Sequence, residues 1–234
     1  MRNVVVSGGS RGLGLGISKA LARAGFTVIA LARTEGDLAE CPALHFVPCD
    51  LADIAALSGL ARRLGEEFGP VYGLVNNAGI GLSGILSTTS DAKIEQIVRM
   101  NVLSPLTLTK YLVRPMMVGR GGRIVNISSI VASTGYQGLS VYSATKASMT
   151  GFTRSLAREV GPLGITVNAV APGFLDTEMT HGLDQKQRDQ IARRSAMQRM
   201  ATIDDVAAAV EFLMSDRAAN VTGTVMTVDA GNTA

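Results

Sequence analysis

Short apolar runs rich in β-branched residues alternate with longer stretches whose apolar positions recur at helical spacing, and the alternation persists from one end of the chain to the other. Asn3-Val4-Val5-Val6-Ser7 opens the series and runs into glycines, the pattern of a strand buried on both faces. Leu13, Ile17, Ala20, Leu21 and Ala24 then fall on one helical face, and that stretch stops at Gly25. Thr27 to Ala32 reads as the next buried strand, so a β-α-β unit closes within about thirty residues. Further strands are predicted at 44–47, 72–75, 123–127, 165–171 and 224–228, and helices at 53–68, 94–100, 106–117, 141–160 and 204–214.

Such regular alternation implies an α/β fold: a single, doubly wound parallel sheet of about seven strands, with right-handed crossovers and helices on both faces. No internal repeat or linker divides the chain, so 1–234 is expected to be one domain. Only 173–200 breaks the pattern. It is polar and glycine-punctuated, and it is expected to act as a flap over a site.

Composition narrows the classes that remain. At 234 residues with 47% hydrophobic and 18% charged residues, the chain can bury a large core and has no disordered composition. No apolar run reaches the ~20 residues that cross a bilayer, and Met1 to Gly8 lead straight into a strand without a cleavable leader. A cytoplasmic protein without a membrane partner is expected. The net charge of +3 comes from scattered Lys and Arg, so no nucleic-acid partner is expected, while a mildly basic surface suits an acidic one. Cys41 and Cys49 lack the spacing of a disulfide framework or a zinc site and read as reduced structural thiols. His45 and His181 have no second ligand at metal-binding distance along the chain, so no metal is expected.

Candidate chemistry first appears at the end of the first strand. Ser7-Gly8-Gly9-Ser10-Arg11-Gly12-Leu13-Gly14 sits where strand becomes helix, so backbone N–H groups and a helix dipole can meet a pyrophosphate. The Gly-x-x-x-Gly-x-Gly spacing of Gly8, Gly12 and Gly14 differs from the ordinary dinucleotide fingerprint, and the missing Gly-Lys-Ser/Thr excludes a P-loop. Where an acidic residue would hold the adenosine ribose of NAD, the second strand ends instead in Leu31-Ala32-Arg33. Arg33 and Arg11 together suit a 2′-phosphate, which favours NADP(H) over NAD(H).

Further along, Tyr142-Ser143-Ala144-Thr145-Lys146 places a phenol and an ammonium at i and i+4 near a helix start, on one face. A Lys cation at that distance should lower the phenol pKa towards the range useful for proton transfer. The pair alone is also compatible with an inert amphipathic face.

The order of motifs around it resembles the short-chain dehydrogenase/reductase family over essentially the whole chain. After the glycine turn come Asp50 with Leu51, Asn76-Asn77-Ala78-Gly79, Asn101, Ser129, Tyr142 with Lys146, and Pro172-Gly173-Phe174-Leu175-Asp176-Thr177. The resemblance implies a Rossmann-type sheet and a hydride exchange between NADP(H) and a carbonyl or alcohol. It makes Tyr142 the general acid in reduction, Ser129 the residue that polarises the carbonyl, and Lys146 the ligand of the nicotinamide ribose. Asn101 would hold a water that relays protons to Lys146. Ser128 is chemically equivalent to Ser129 but faces the other side of its strand. Cofactor contacts carried over in the same way are Gly8, Ser10, Arg11, Gly12, Leu13, Gly14, Arg33, Asp50, Leu51, Asn77, Ala78 and Gly79. Pro172, Gly173, Leu175 and Thr177 would meet the nicotinamide end, beside Tyr142 and Lys146.

Within that family the chain resembles the 3-oxoacyl-acyl-carrier-protein reductases, through Ser-Gly-Gly-Ser-Arg-Gly, Tyr-Ser-Ala-Thr-Lys-Ala and Ala-Pro-Gly-Phe-Leu-Asp-Thr-Glu-Met. That implies reduction of 3-oxoacyl thioesters in fatty-acid-type synthesis, on substrates borne by acyl carrier protein, by a homotetramer. Arg120 stands where those enzymes meet the acidic carrier. Leu163 stands where a second basic residue is usual, and Ile80-Gly81-Leu82-Ser83-Gly84 replaces a usual Arg-Asp pair. A broad carbonyl reductase, an alcohol or sugar dehydrogenase, and a non-catalytic NADP-binding regulator remain open alternatives.

Overall fold

The computed structural model describes residues 2–41, 43–175 and 185–234, apart from the Glu40 side chain. Among them, seven strands form one parallel sheet: β1 (Asn3–Ser7), β2 (Thr27–Ala32), β3 (Leu44–Pro48), β4 (Val71–Asn76), β5 (Gly122–Ile127), β6 (Ile165–Pro172) and β7 (Val225–Val228). Their spatial order is β3-β2-β1-β4-β5-β6-β7, and every neighbouring pair is parallel. The chain thus winds outward one way from β1, then returns past it to build β4 and the rest. The crevice between the carboxyl ends of β1 and β4 is the place where such sheets bind ligands.

Helices cover both faces: α1 (Gly12–Arg23) and α8 (Ile203–Met214) on one, α2 (Leu57–Phe68), α4 (Ser104–Val118) and α6 (Ser140–Val160) on the other. The pleat explains why the strands read as continuous apolar runs. Val4 and Val6 pack with α1 and α8, whereas Val5 between them packs with α2 and α4. In β2, Val28 and Ala30 join the first cluster and Ile29 and Leu31 the second. Fully burying an aliphatic side chain such as Ile17, Leu21, Leu64 or Leu108 contributes about 1.5–3 kcal/mol, and these two layers make the core. Gly16 lets α1 and α8 touch, since a Cβ there would lie 2.2 Å from Ile203 Cγ2.

The remaining helices are α3 (Asp91–Val98), the short α5 (Val131–Thr134) and α7 (Gln185–Arg194). The helix expected at 94–100 begins earlier and does not stop. It passes through a π-turn at Arg99–Leu103 straight into α4, with the Ser104 N–H bonded to the Arg99 carbonyl. Pro105 accounts for the break in α-helical pattern: it offers no N–H to the Asn101 carbonyl four residues back, and its ring crowds that oxygen.

Of the segment expected to be a flap, 176–184 lies outside the described residues. On either side, Leu175 forms a parallel bridge with Ala201, and the end of α7 ties to the C-terminal turn through Ala196 N–H to the Gly231 carbonyl, 3.2 Å. Among the described residues, no helix is long and apolar enough to cross a membrane.

Candidate active site

The glycine turn lies at the carboxyl end of β1, beside that of β4. Gly8 has φ 66°, and a Cβ on Gly14 would sit 2.0 Å from the Gly8 carbonyl oxygen, so only glycine allows the turn to fold back against the first turn of α1. Gly12, also at positive φ, faces open space: a Cβ there would meet nothing within 4 Å. The start of α1 carries neither a side-chain cap nor an acidic residue. Its first-turn N–H groups therefore suit an anion, and the turn fits a pyrophosphate. Ser10 is buried beneath the turn and Leu13 is half-buried within α1.

Ser7 and Asn77 fasten the two strand ends together. The Ser7 hydroxyl accepts from the N–H groups of Asn77 and Ala78, both at 3.0 Å, and Asn77 Nδ2 donates to the Ser7 carbonyl at 3.0 Å. In the sequence Ser7 stands out only as part of the glycine turn, and its place at a strand end beside a second polar turn is the signal of this role.

At the edge of the crevice, Arg11 Nη2 donates to the Thr34 hydroxyl at 3.2 Å, so the exposed Arg11 and Arg33 flank one residue. Arg11 thus reaches across to the residue that follows Arg33, although the two lie in different turns of the sequence. Asp50 is exposed just beyond β3 and closes a turn by accepting from the Ala52 N–H at 2.9 Å, while Leu51 is buried. Gly173 packs against Asp229, where a Cβ would be 2.7 Å from the aspartate Cβ, and the Pro172 carbonyl accepts from the Ile130 N–H at 3.0 Å. Leu175 is buried. Thr177 and His181 lie outside the described residues.

The catalytic candidates converge above β4 and β5. The Ser129 hydroxyl lies beside the Tyr142 phenol, close enough to favour its ionised form. Lys146 Nζ stands 5.8 Å from the Tyr142 ring centre and donates to the Ile127 carbonyl at 2.9 Å. Gly79 borders the same space, for a Cβ on it would lie 3.1 Å from Asn101 Oδ1 and 3.5 Å from Lys146 Nζ. Asn101 sits in the π-turn with its amide fully engaged: Oδ1 accepts from the Ile80 N–H, and Nδ2 donates to the Ile80 carbonyl and, at 3.1 Å, to the Thr145 hydroxyl. The helix distortion and the satisfied amide thus coexist with a place beside Lys146.

Electrostatics corrects one expectation. Lys146 was expected to lower the Tyr142 pKa, but burial pushes the phenol up to about 12, and the Ser129 hydroxyl only partly offsets it. The same burial holds Lys146 down to about 8. Nζ is turned to the Ile127 carbonyl, and nothing from Lys146 offsets the desolvation of the phenol.

Ser128 faces α6 rather than the crevice, and its hydroxyl donates to the Lys146 carbonyl at 2.9 Å. Cys49, beside Asp50, has its thiol pushed up to about 11 by burial and is not a nucleophile. Among the described residues, no three His, Cys, Asp or Glu side chains converge as metal ligands would.

The chain is similar to known proteins along nearly its whole length. A family model described as enoyl-(acyl carrier protein) reductase matches residues 8–233. The 3-oxoacyl-(acyl-carrier-protein) reductase FabG of Escherichia coli (strain K12) is 40% identical over 232 residues, 97% of this chain and 95% of that protein. Nodulation protein G of Rhizobium sp. (strain N33) is 37% identical over 236 residues, 98% of this chain and 96% of that one. Among solved structures, ElxO with NADP bound superposes with a TM-score of 0.92 at 30% identity, covering 99% and 98% of the two chains. A gluconate 5-dehydrogenase from Burkholderia cenocepacia J2315, in complex with NADP and tartrate, gives 0.94 at 26% identity, covering 99% and 95%.

Proposed function

Because the chain belongs to the short-chain dehydrogenase/reductase family, we propose that it is an NADPH-dependent carbonyl reductase that converts 3-oxoacyl thioesters to 3-hydroxyacyl thioesters. The observation that carries the chemistry is the convergence of the Ser129 and Tyr142 hydroxyls beside Lys146. Two O–H groups at one point suit a single oxygen that gains negative charge, as a ketone oxygen does when its carbon is reduced. The substrate class is supported by the full-length similarity to 3-oxoacyl-carrier reductases.

Bound NADPH supplies the hydride that reduces the carbonyl carbon. The glycine turn and the start of α1 hold its pyrophosphate, Arg11 and Arg33 its 2′-phosphate, and Asp50 and Leu51 its adenine end. Asn77, Ala78 and Gly79 line the crevice towards the nicotinamide, which Pro172, Gly173 and Leu175 border. Ser129 donates a hydrogen bond to the substrate oxygen, and Tyr142 delivers the proton that completes the alcohol. Lys146 binds the ribose and, as a cation, steadies the tyrosinate left behind. Because the Asn101 amide is fully engaged, a water that resupplies protons would sit on its main-chain carbonyl, which Pro105 deprives of the α-helical donor.

We read 1–234 as a single catalytic domain, cytoplasmic. A homotetramer is supported by apolar surface on α3, α4 and α6: Leu103 and Val118 are 45% and 87% exposed, and Ile94, Val98, Val102 and Val141 line a groove of about 380 Å³.

Tyr142→Phe tests the catalytic reading. Turnover should fall by about a thousandfold or more while NADPH affinity stays near that of the parent; retained activity would overturn it. The assay panel should include an acetoacetyl thioester, an enoyl thioester, simple ketones and a keto-sugar acid. The gluconate 5-dehydrogenase likeness favours the last as a second reading, and preference for it over the thioester would displace the first.

A further inference from the structure

Four polar side chains beneath the site are almost fully buried: Asn76, Thr109, Asn126 and Thr153 are 4%, 1%, 0% and 0% exposed. They form a chain of bonds across one face of the sheet. Asn76 Nδ2 on β4 donates to the Thr109 hydroxyl of α4 at 2.9 Å and to Asn126 Oδ1 on β5 at 2.8 Å. Asn126 Nδ2 in turn donates to the Thr153 hydroxyl of α6 at 2.8 Å. Nearer the crevice, the same α6 is tied to the π-turn before α4 by Asn101 Nδ2 to the Thr145 hydroxyl, which itself donates to the Tyr142 carbonyl at 2.8 Å. The two routes close a ring running from α4 through β4, β5 and α6 back to α4.

Lys146 lies inside that ring. It precedes Thr153 by about two helical turns, so both face β5. Its Nζ bonds to the carbonyl of Ile127, the residue after Asn126, and its own carbonyl accepts from Ser128, the residue after that.

An apolar core would fill this space without an orphan, whereas here Asn76 Oδ1 is buried with no hydrogen-bond partner among the described residues. What hydrogen bonds add over apolar packing is a fixed length and direction: packed methyl groups can slide by a fraction of an ångström, while a bonded amide and hydroxyl cannot without breaking. We propose that Asn76, Thr109, Asn126 and Thr153 are positioning residues that fix α6 against β5 and α4, and so set the spacing of Tyr142, Lys146 and Asn101. This rests on the catalytic reading of Tyr142 and Lys146.

Thr153→Val keeps the shape and removes the acceptor of Asn126. In folded enzyme, kcat should fall about tenfold while KM for NADPH is unchanged, since small misplacement of reacting groups is felt in turnover rather than in cofactor binding. Thr153→Ser should restore kcat to within about twofold, because it returns the hydroxyl. Thr109→Val, on the other helix, should reproduce the kcat loss, and the double variant should lose little more than either single one, the ring being open already. Wild-type kcat in folded Thr153→Val, failure of Thr153→Ser to rescue, or additive losses would each overturn the ring. If Thr153→Val does not fold, wild-type kcat in Thr109→Val overturns it alone. Tyr142→Phe measured alongside separates the two readings: activity surviving there defeats the catalytic assignment, whereas an inactive Tyr142→Phe with a fully active Thr153→Val defeats only the ring.

Discussion

Replacing Lys146 with Met should make the protein more stable at neutral pH and less stable at high pH. Lys146 is 6% exposed, and burial holds its pKa down to about 8, against 10.5 in an unfolded chain. A group whose pKa is depressed by folding contributes least when the pH is below the folded value: below about 8 the amine is charged in both states, and the native state bears the desolvation. At about 1.36 kcal/mol per pH unit, that penalty is about 3 kcal/mol at pH 7 and fades between about 8 and 10.5. Methionine removes the charge and retains most of the volume, but it leaves the Ile127 carbonyl without its donor, which costs about 1–2 kcal/mol at any pH. The net gain at pH 7 is about 1–2 kcal/mol, or about 3–6 °C in Tm for a chain of this length. Once the amine is neutral in both states only the lost bond remains, so the two Tm curves should cross between about pH 9 and 10. Thermal unfolding followed by circular dichroism from pH 6.5 to 10.5 reads this directly. Parallel curves, or a methionine variant less stable at pH 6.5, would refute the reasoning.

Two further outcomes follow from the same groups and from the crevice. In the reduction direction, kcat/KM should decline above about pH 8 as Lys146 loses its charge, with no second loss from Tyr142 below pH 10, since the phenol titrates near 12; a flat profile to pH 10 would contradict the role of the cation. Arg33→Ala should raise KM for NADPH about tenfold or more while leaving KM for NADH nearly unchanged, because charge-assisted bonds to a phosphate contribute about 1.5–3 kcal/mol and only NADPH carries one there; equal effects on both would remove Arg33 from the 2′-phosphate site.

The strands were legible because a parallel sheet buries both faces of each strand, so Val4-Val5-Val6 carries its signal in composition alone. Tyr142 and Lys146 were legible because i and i+4 is a geometric relation that any helix obeys. What the sequence concealed depends on neighbours far apart in the chain. The π-turn at Arg99–Leu103 has no residue signature of its own, and Pro105 reads equally well as the start of a separate helix. Ser7, Asn126 and Thr153 look like ordinary polar residues until β1 meets β4 and α6 meets β5. The sign of the Tyr142 shift was misjudged for the same reason: the charge of Lys146 is written in the sequence, but the depth of both groups is not.

That shared depth sets the protonation state of the resting site. Burial moves a neutral acid and a cationic acid in opposite senses, since it penalises whichever form is charged. At neutral pH the phenol, near 12, therefore holds its proton firmly, while the amine, near 8, is still charged but only by about one pH unit. A protonated Tyr142 beside a charged Lys146 is the state from which a carbonyl oxygen can be given a proton; an alcohol can be oxidised only after that proton has been removed. The charge on Lys146 gains its partner only when Tyr142 becomes tyrosinate, so the site matches the end of the proton transfer better than its beginning. The stability that methionine should restore at pH 7, with the lost bond to Ile127 added back, is then the measure of what the fold gives up to keep a cation waiting in place.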